Sequence, residues 1–295
     1  MKFALALMLI LISALINTSN GSDLEIIRSI GASWREQAGI IVELKTDCTN
    51  FEDEHYQKLG QLTSLKSLSI SGKNLSDHQL EMLSGLTELE SILINGSELT
   101  DEGYRHFKAF QKLKTLSLFH PSRNCEDFTG SGLAYLKDLP RLERLTFAGA
   151  TAGDEAFAAV GKIAQLKEFR QWHNWETPNA IKHLVGLKQL ESLQMGQRLP
   201  RWGTSSAPSF DDETLEVIAQ IKSLKRLTFQ EARLSAAGLL QLQSLPELEQ
   251  VKLSLIDISK SDVETIKAEM PNVKVDWTPL TETEDEATLK KKLKI

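Results

Sequence analysis

Between Leu65 and Leu86 the apolar residues Leu65, Leu68, Ile70, Leu75, Leu80, Leu83 and Leu86 are set among serines, lysines and acids. The next stretch repeats the arrangement with Leu89, Ile92, Ile94, Leu99, Tyr104, Phe107 and Phe110. Leu68 and Ile70 alternate with Ser67, Ser69 and Ser71, and a period of two predicts a strand with one buried and one wet face. Leu80, Leu83 and Leu86 lie three apart, along one face of a helix. Ser76 before Asp77, and Thr100 before Asp101, supply an N-cap oxygen and an acidic first turn. Each row therefore reads strand, turn, helix.

The rows recur along the chain. Leu44, Leu68, Ile92, Leu116, Leu145, Phe169, Leu193, Leu227, Val251 and Val275 are spaced 24, 24, 24, 29, 24, 24, 34, 24 and 24 residues apart. No row can bury its apolar side alone, so rows must stack, with strands parallel along an inner face and helices outside. Rows such as LSDHQLEMLSGLTELESILINGSELTDEGYRHF resemble the L-T-D-x-x-L-x-x-L leucine-rich repeats of short exported bacterial proteins, and the opening IIRSIGASWREQAGIIVEL is similar to their N-terminal segment. The resemblance covers residues 24–277 and implies an α/β solenoid, a leucine-rich repeat horseshoe of about ten rows used for protein–protein contact. The chain departs from that family at the turn position usually held by asparagine, which here reads Thr49, Lys73, Ser97, Ala150, Asn174 and Ala232.

The ends predict four segments. Residues 1–21 read as a signal peptide: one lysine precedes an apolar run from Phe3 to Ile16, cleavage is expected at Gly21/Ser22, and the run falls short of the roughly 20 residues a spanning helix needs. Residues 22–43 form a capping segment in which Leu24, Ile27, Ile30 and Trp34 follow helical spacing, with Trp34 expected as core filler. Residues 44–277 are the solenoid, closed by a strand through Val273, Val275 and Trp277. Residues 278–295 are a charged tail in which Glu286 and Lys290 pair on a solvated helix.

Composition narrows the function. A formal net charge of −6 without a basic stripe argues against nucleic acid. Cys48 and Cys125 lie three rows apart, about 14 Å at the spacing of strands, so free thiols are expected rather than a disulfide. HExxH, a GxxxxGK phosphate loop, a nucleophile elbow and CxxC are all absent. Gly130-Ser131-Gly132 reads as a helix entrance and Asp211-Asp212 as a cap. His55, His78, His106 and His183 fall on or near outer helices. His120 and His173 share an equivalent slot two rows apart, and two imidazoles fall short of the three ligands of a catalytic zinc site. No enzyme, metal or cofactor is predicted; a protein partner is.

One row departs from the rest. In FRQWHNWE, Phe169–Glu176, the alternation turns Phe169 to the core and Arg170 and Trp172 to the inner face. Trp175 is expected to replace the missing leucine of the turn. The equivalents of Trp172 are Ser71, Asn95, Phe119, Ala148, Gly196, Gln230 and Ser254, so small residues between Phe119 and Trp172 predict an apolar-walled slot. The inserts PSRNCED and RLPRWGTSSAPS lie in the same region, as do Arg123, Arg144, Arg170, Arg198 and Arg201. The candidate ligand-binding residues are Phe119, His120, Arg144, Arg170, Trp172, His173, Arg198 and Trp202. Two readings fit: an inner face that binds a protein or an extended anionic ligand, or a structural module of an envelope or surface assembly in which Trp172 and the inserts pack as satellite core.

Overall fold

Each recurring apolar position lies directly beside its counterpart in the next row. Leu44 pairs with Leu68, Leu68 with Ile92, and the series runs unbroken to Val251 beside Val275. The computed structural model that records this register describes residues 21–122, 125–197, 210–279 and 291. Its single sheet holds eleven strands in chain order. They are β1 (Ser33–Gln37), β2 (Ile40–Asp47), β3 (Ser67–Ser71), β4 (Ser91–Asn95), β5 (Thr115–Phe119), β6 (Arg144–Ala148), β7 (Glu168–Trp172), β8 (Ser192–Met195), β9 (Arg226–Gln230), β10 (Gln250–Ser254) and β11 (Lys274–Thr278). β1 and β2 are antiparallel, and every later pair is parallel. The longer spacings of 29 and 34 leave the ladder intact, because Leu116 still meets Leu145 and Leu193 still meets Leu227.

The return segments carry the other wall of the core. They are α1 (residues 21–29), α2 (Asp53–Leu59), α3 (Asp77–Met82), α4 (Asp154–Val160), α5 (Asp212–Ile218), α6 (Ala236–Leu240) and α7 (Lys260–Glu269). Between them Glu102–Ala109, Ser131–Asp138 and Pro178–Leu184 wind as tighter 3-10 turns. With three residues per turn, side chains three apart line up. Tyr104, Phe107 and Phe110 are accordingly all buried, as are Leu133, Leu136 and Leu139. The result is the leucine-rich repeat solenoid that the period implies.

The N-terminal cap differs from expectation. α1 and the turn residue after it bury Ile26, Ile27 and Ile30 over the first row, but the chain then turns at Gly31 (φ 60°) and returns as a hairpin. Ala38 and Gly39, both at positive φ, form its tight turn. Trp34 therefore lies on β1 rather than on a helix and is 42% exposed, its indole Nε1 donating to Glu36 Oε1 at 3.1 Å. The sheet starts at Ser33 and its second strand at Ile40, both inside the segment expected to be cap.

A column of charge runs along the sheet rim two residues before each strand's first core position. It reads Lys66, Glu90, Lys114, Glu143, Lys167, Glu191, Lys225, Glu249, alternating in sign through eight rows. Lys114 binds Glu90 at 2.6 Å, Lys167 binds Glu143 at 2.8 Å and Lys225 binds Glu191 at 3.2 Å. Strands about 4.8 Å apart would set like charges side by side, and the alternation removes that repulsion.

Candidate functional site

The sheet face turned away from the helices is formed by alternate residues of each strand. On β5 and β7 its last position is taken by Phe119 and Trp172, with Ala148 of β6 between them in register. The two rings do not wall an open slot. Their centroids are 5.9 Å apart at a 53° tilt, so they meet across Ala148, which is 2% exposed. The expected slot is thus closed by the aromatic side chains themselves, because a small residue between two large ones lets them lean together. Both rings remain half-buried, leaving an apolar step on an otherwise polar face. Gly196 is part of the arrangement, since a Cβ there would overlap the Cβ of Trp172.

His120 and His173 follow the two aromatic residues and sit in left-handed backbone, at φ 48° and 57°. The same turn position is held by Gly72, Gly96 and Gly149, also at positive φ. The backbone N–H of His120 donates to Ala148 at 2.7 Å and that of His173 to Gln197 at 2.6 Å, extending the ladder past the strands. His120 Nδ1 lies 3.0 Å from Asn95 Oδ1, and its ring covers Gly149. Both histidines are exposed.

Arg144 is exposed and donates from Nε to Thr115 Oγ1 at 3.1 Å. Arg170 is exposed too, but it is held by Glu168 two residues away on the same face. Arg198 and Trp202, with Arg123 and Arg201, lie outside the described residues, as do residues 1–20 of the expected signal peptide and most of the tail. Of the candidate residues, the structure gathers Phe119, His120, Arg144, Arg170, Trp172 and His173 on or beside three neighbouring strands.

Beneath Trp172 the row has a polar interior that sequence reasoning missed. Gln171 stands in the column of Ile70, Ile94, Leu118, Phe147, Met195, Phe229 and Leu253, yet is fully buried. Its Oε1 accepts from Asn174 Nδ2 at 3.3 Å. Asn174, also fully buried, donates to Phe147 O at 3.0 Å and accepts from Ala150 N at 3.0 Å, tying its own turn to the backbone of the preceding row. The leucine slot of this row is filled by Glu176, 1% exposed, where other rows place Leu75, Leu99, Ala152, Leu234 and Ile258. Trp175 is only half-buried, which corrects its expected role: the 24-residue period counts to Glu176, and the backbone follows the period. The signal was present in the column comparison at Gln171 and Glu176.

Groups that resemble chemistry elsewhere are already engaged. An open cleft of about 690 Å³ beside α5, α6 and α7 is lined by Asp211, Asp212, Asp257 and Asp262. These accept from Thr214 N, Ser235 Oγ, Arg233 and Ser259 N respectively. Cys48 and Cys125 are free thiols, and burial pushes the pKa of each upward, away from the reactive thiolate. Among the described residues no group of three His, Cys, Asp or Glu is placed to hold a metal ion. No helix among them is long and apolar enough to cross a membrane.

No protein-family model matches the chain, and no curated protein matches it. Among solved structures, internalin C2 from Listeria monocytogenes str. 4b F2365 aligns at 18% identity and a TM-score of 0.40, over 87% of this chain and 92% of that chain.

Proposed function

We propose that this chain is an exported, non-catalytic binding module of the L-T-D-x-x-L-x-x-L repeat type that recognises a protein through the inner face of its sheet. The observation that carries the reading is the Phe119–Trp172 step. Two large rings stand half-buried on the face away from the core, where other rows place Ser71, Asn95, Gln230 and Ser254. Neither ring is needed to fill the solenoid interior, and a half-exposed Trp two residues from Arg170 on the same face has the composition of an interface hot spot. Export is supported by the lysine and apolar run at Lys2–Ile16. The commitment of the four cleft aspartates to neighbours supports the non-catalytic assignment.

A second reading, a structural module that contacts its neighbours through its ends, draws on Trp34 and Ile40, which are 42% and 47% exposed on the first hairpin. Affinity capture from an envelope extract with wild type, Trp172→Ala and Trp34→Ala separates the two. A partner retained by Trp34→Ala and lost from Trp172→Ala is expected. The opposite pattern would replace the inner-face reading with the end-contact one.

A further inference from the structure

Charge is distributed unevenly along the inner face. The nine positions that β3, β4 and β5 contribute are Ser67, Ser69, Ser71, Ser91, Leu93, Asn95, Thr115, Ser117 and Phe119, none of them charged. From β6 to β10 the same face carries Arg144, Arg170, Arg226 and Lys252 against the single carboxylate of Glu168. A chain of formal net charge −6 thus collects positive charge on one half of one face. Glu168 is already held by Arg170. Arg144, Arg226 and Lys252 are exposed; among the described residues Arg144 and Arg226 have no carboxylate within ion-pair distance, and Lys252 stands beside Asp276 of β11, which Lys274 and Gln250 already hold. On the adjacent rim, Lys167 and Lys225 are tied to Glu143 and Glu191, so the rim offers the three inner cations no direct pairing.

We infer that this half of the inner face binds an acidic, extended polypeptide segment running across β6–β10. The inference rests on the inner-face reading but assigns a partner chemistry and two residues, Arg226 and Lys252, that the aromatic step does not involve. The spacing favours a peptide. Arg144 and Arg226 hold the same strand position three strands apart, about 14 Å, which is the length of about four extended residues. Between them Ser192 and Gln194 of β8, with Thr228 beside Arg226 on β9, present uncharged donors and acceptors suited to peptide amides. The Phe119–Trp172 step lies at the far ends of the strands from Arg144 and Arg226, so an apolar side chain of the same segment meets it across the width of the face.

The test uses fluorescein-labelled poly-L-glutamate and fluorescence anisotropy, with poly-L-lysine, heparin and single-stranded DNA for comparison. Wild type is expected to bind poly-L-glutamate, weakening as salt rises because exposed charges are screened. The double variant Arg226→Gln/Lys252→Gln should lose at least tenfold in affinity, and Arg226→Glu/Lys252→Glu should lose all detectable binding. Thermal unfolding of each variant separates a lost surface from a lost fold, and the neutral variant carries the test if the reversed one does not fold. Absence of binding by wild type at low salt, or equal binding by a folded neutral variant, would overturn the inference. Tighter binding of heparin or DNA than of poly-L-glutamate would overturn it as well, in favour of a general polyanion surface. Failure here beside a partner that still depends on Trp172 would leave the inner-face reading standing, whereas loss of Trp172-dependent capture with poly-L-glutamate binding intact would remove only the aromatic step.

Discussion

The Asp77 carboxylate accepts from both the backbone N–H and the hydroxyl of Thr100, at 2.9 and 2.6 Å, and so ties one row to the next. Asp154 holds Thr177 in the same way and Asp212 holds Ser235. Asp101 adds a third bond, accepting from Thr129 N, Thr129 Oγ1 and Gly132 N, each at 2.8 Å. The Ser76-Asp77 and Thr100-Asp101 pairs therefore each work in two directions. The hydroxyl residue serves its own row, while the acid reaches the following one. Gly103 and Gly238 stand where a Cβ would overlap the carboxylate of Asp77 or Asp212, which explains a glycine inside an outer helical turn.

Asp101→Ala is expected to cost about 1–3 kcal/mol, because it strips partners from part-buried donors. Gly103→Ala should also destabilise, although alanine is ordinarily favoured over glycine in a helix. Combined with Asp77→Ala its effect should be less than additive, since both remove the same clasp. Chemical denaturation of the two single variants and the double variant reads the coupling. Full additivity would mean that the glycine answers to something else.

Asn174 ties its turn to the preceding row, so Asn174→Ala should cost about 1–3 kcal/mol by leaving Ala150 N and Phe147 O without their buried partner. Gln171→Leu should stay within about 1.5 kcal/mol, as leucine is of similar volume and already serves this column as Leu118 and Leu253. Equilibrium unfolding compares them. A larger loss from Gln171→Leu than from Asn174→Ala would show that the buried amide pair, rather than the backbone bridge, holds the row.

The rim column makes stability depend on pH with a definite sign. Hydrogen bonding to Lys114 lowers the pKa of Glu90, and hydrogen bonding to Lys167 lowers that of Glu143. A carboxylate depressed in the folded state contributes stability that is fully present above its unfolded value, about 4.3 for glutamate, and is lost as pH falls through the folded one. Unfolding midpoints should therefore be flat near neutrality and drop below about pH 4, with a shallower drop in Lys114→Gln/Lys167→Gln. Both ion pairs are more than a third exposed, so each contributes no more than about 1 kcal/mol and less in concentrated salt. An acid profile unchanged by the double substitution would place the acid sensitivity elsewhere.

The ten strand positions were legible because burial of one sheet face imposes a period of two inside a period of 24, whatever the length of the connecting loop. Trp34 was not, because the spacing from Leu24 fits a continuing helix as well as a helix followed by a hairpin, and the left-handed turn at Gly31 decides between them. Glu176 was obscured by its neighbour: hydrophobicity favoured Trp175 for the leucine slot, whereas the period and the backbone placed the acid there. The Asp77–Thr100 clasp spans 23 residues and has no trace in the local pattern of either row. Alternation placed Phe119 and Trp172 on the inner face, but their contact across Ala148 depends on side-chain direction, which a strand pattern does not encode.

That contact sets the expected behaviour of Trp172→Ala. The indole is half-buried and, among the described rings, packs on Phe119 alone, so its removal should cost about 1–2 kcal/mol of stability rather than the 3–5 of a core tryptophan. A double-mutant cycle with Phe119→Ala should return a coupling of about 0.5–1.5 kcal/mol, the share belonging to the ring pair. Partner binding should behave differently. If the step is the hot spot, Trp172→Ala and Phe119→Ala should each remove about 2 kcal/mol or more of affinity, read by titration calorimetry against the captured partner. The salt dependence should remain, because Arg144, Arg226 and Lys252 are untouched. A stability loss above about 3 kcal/mol, with affinity unchanged in the folded fraction, would identify the two rings as a brace between β5 and β7 and return the inner face to a structural role.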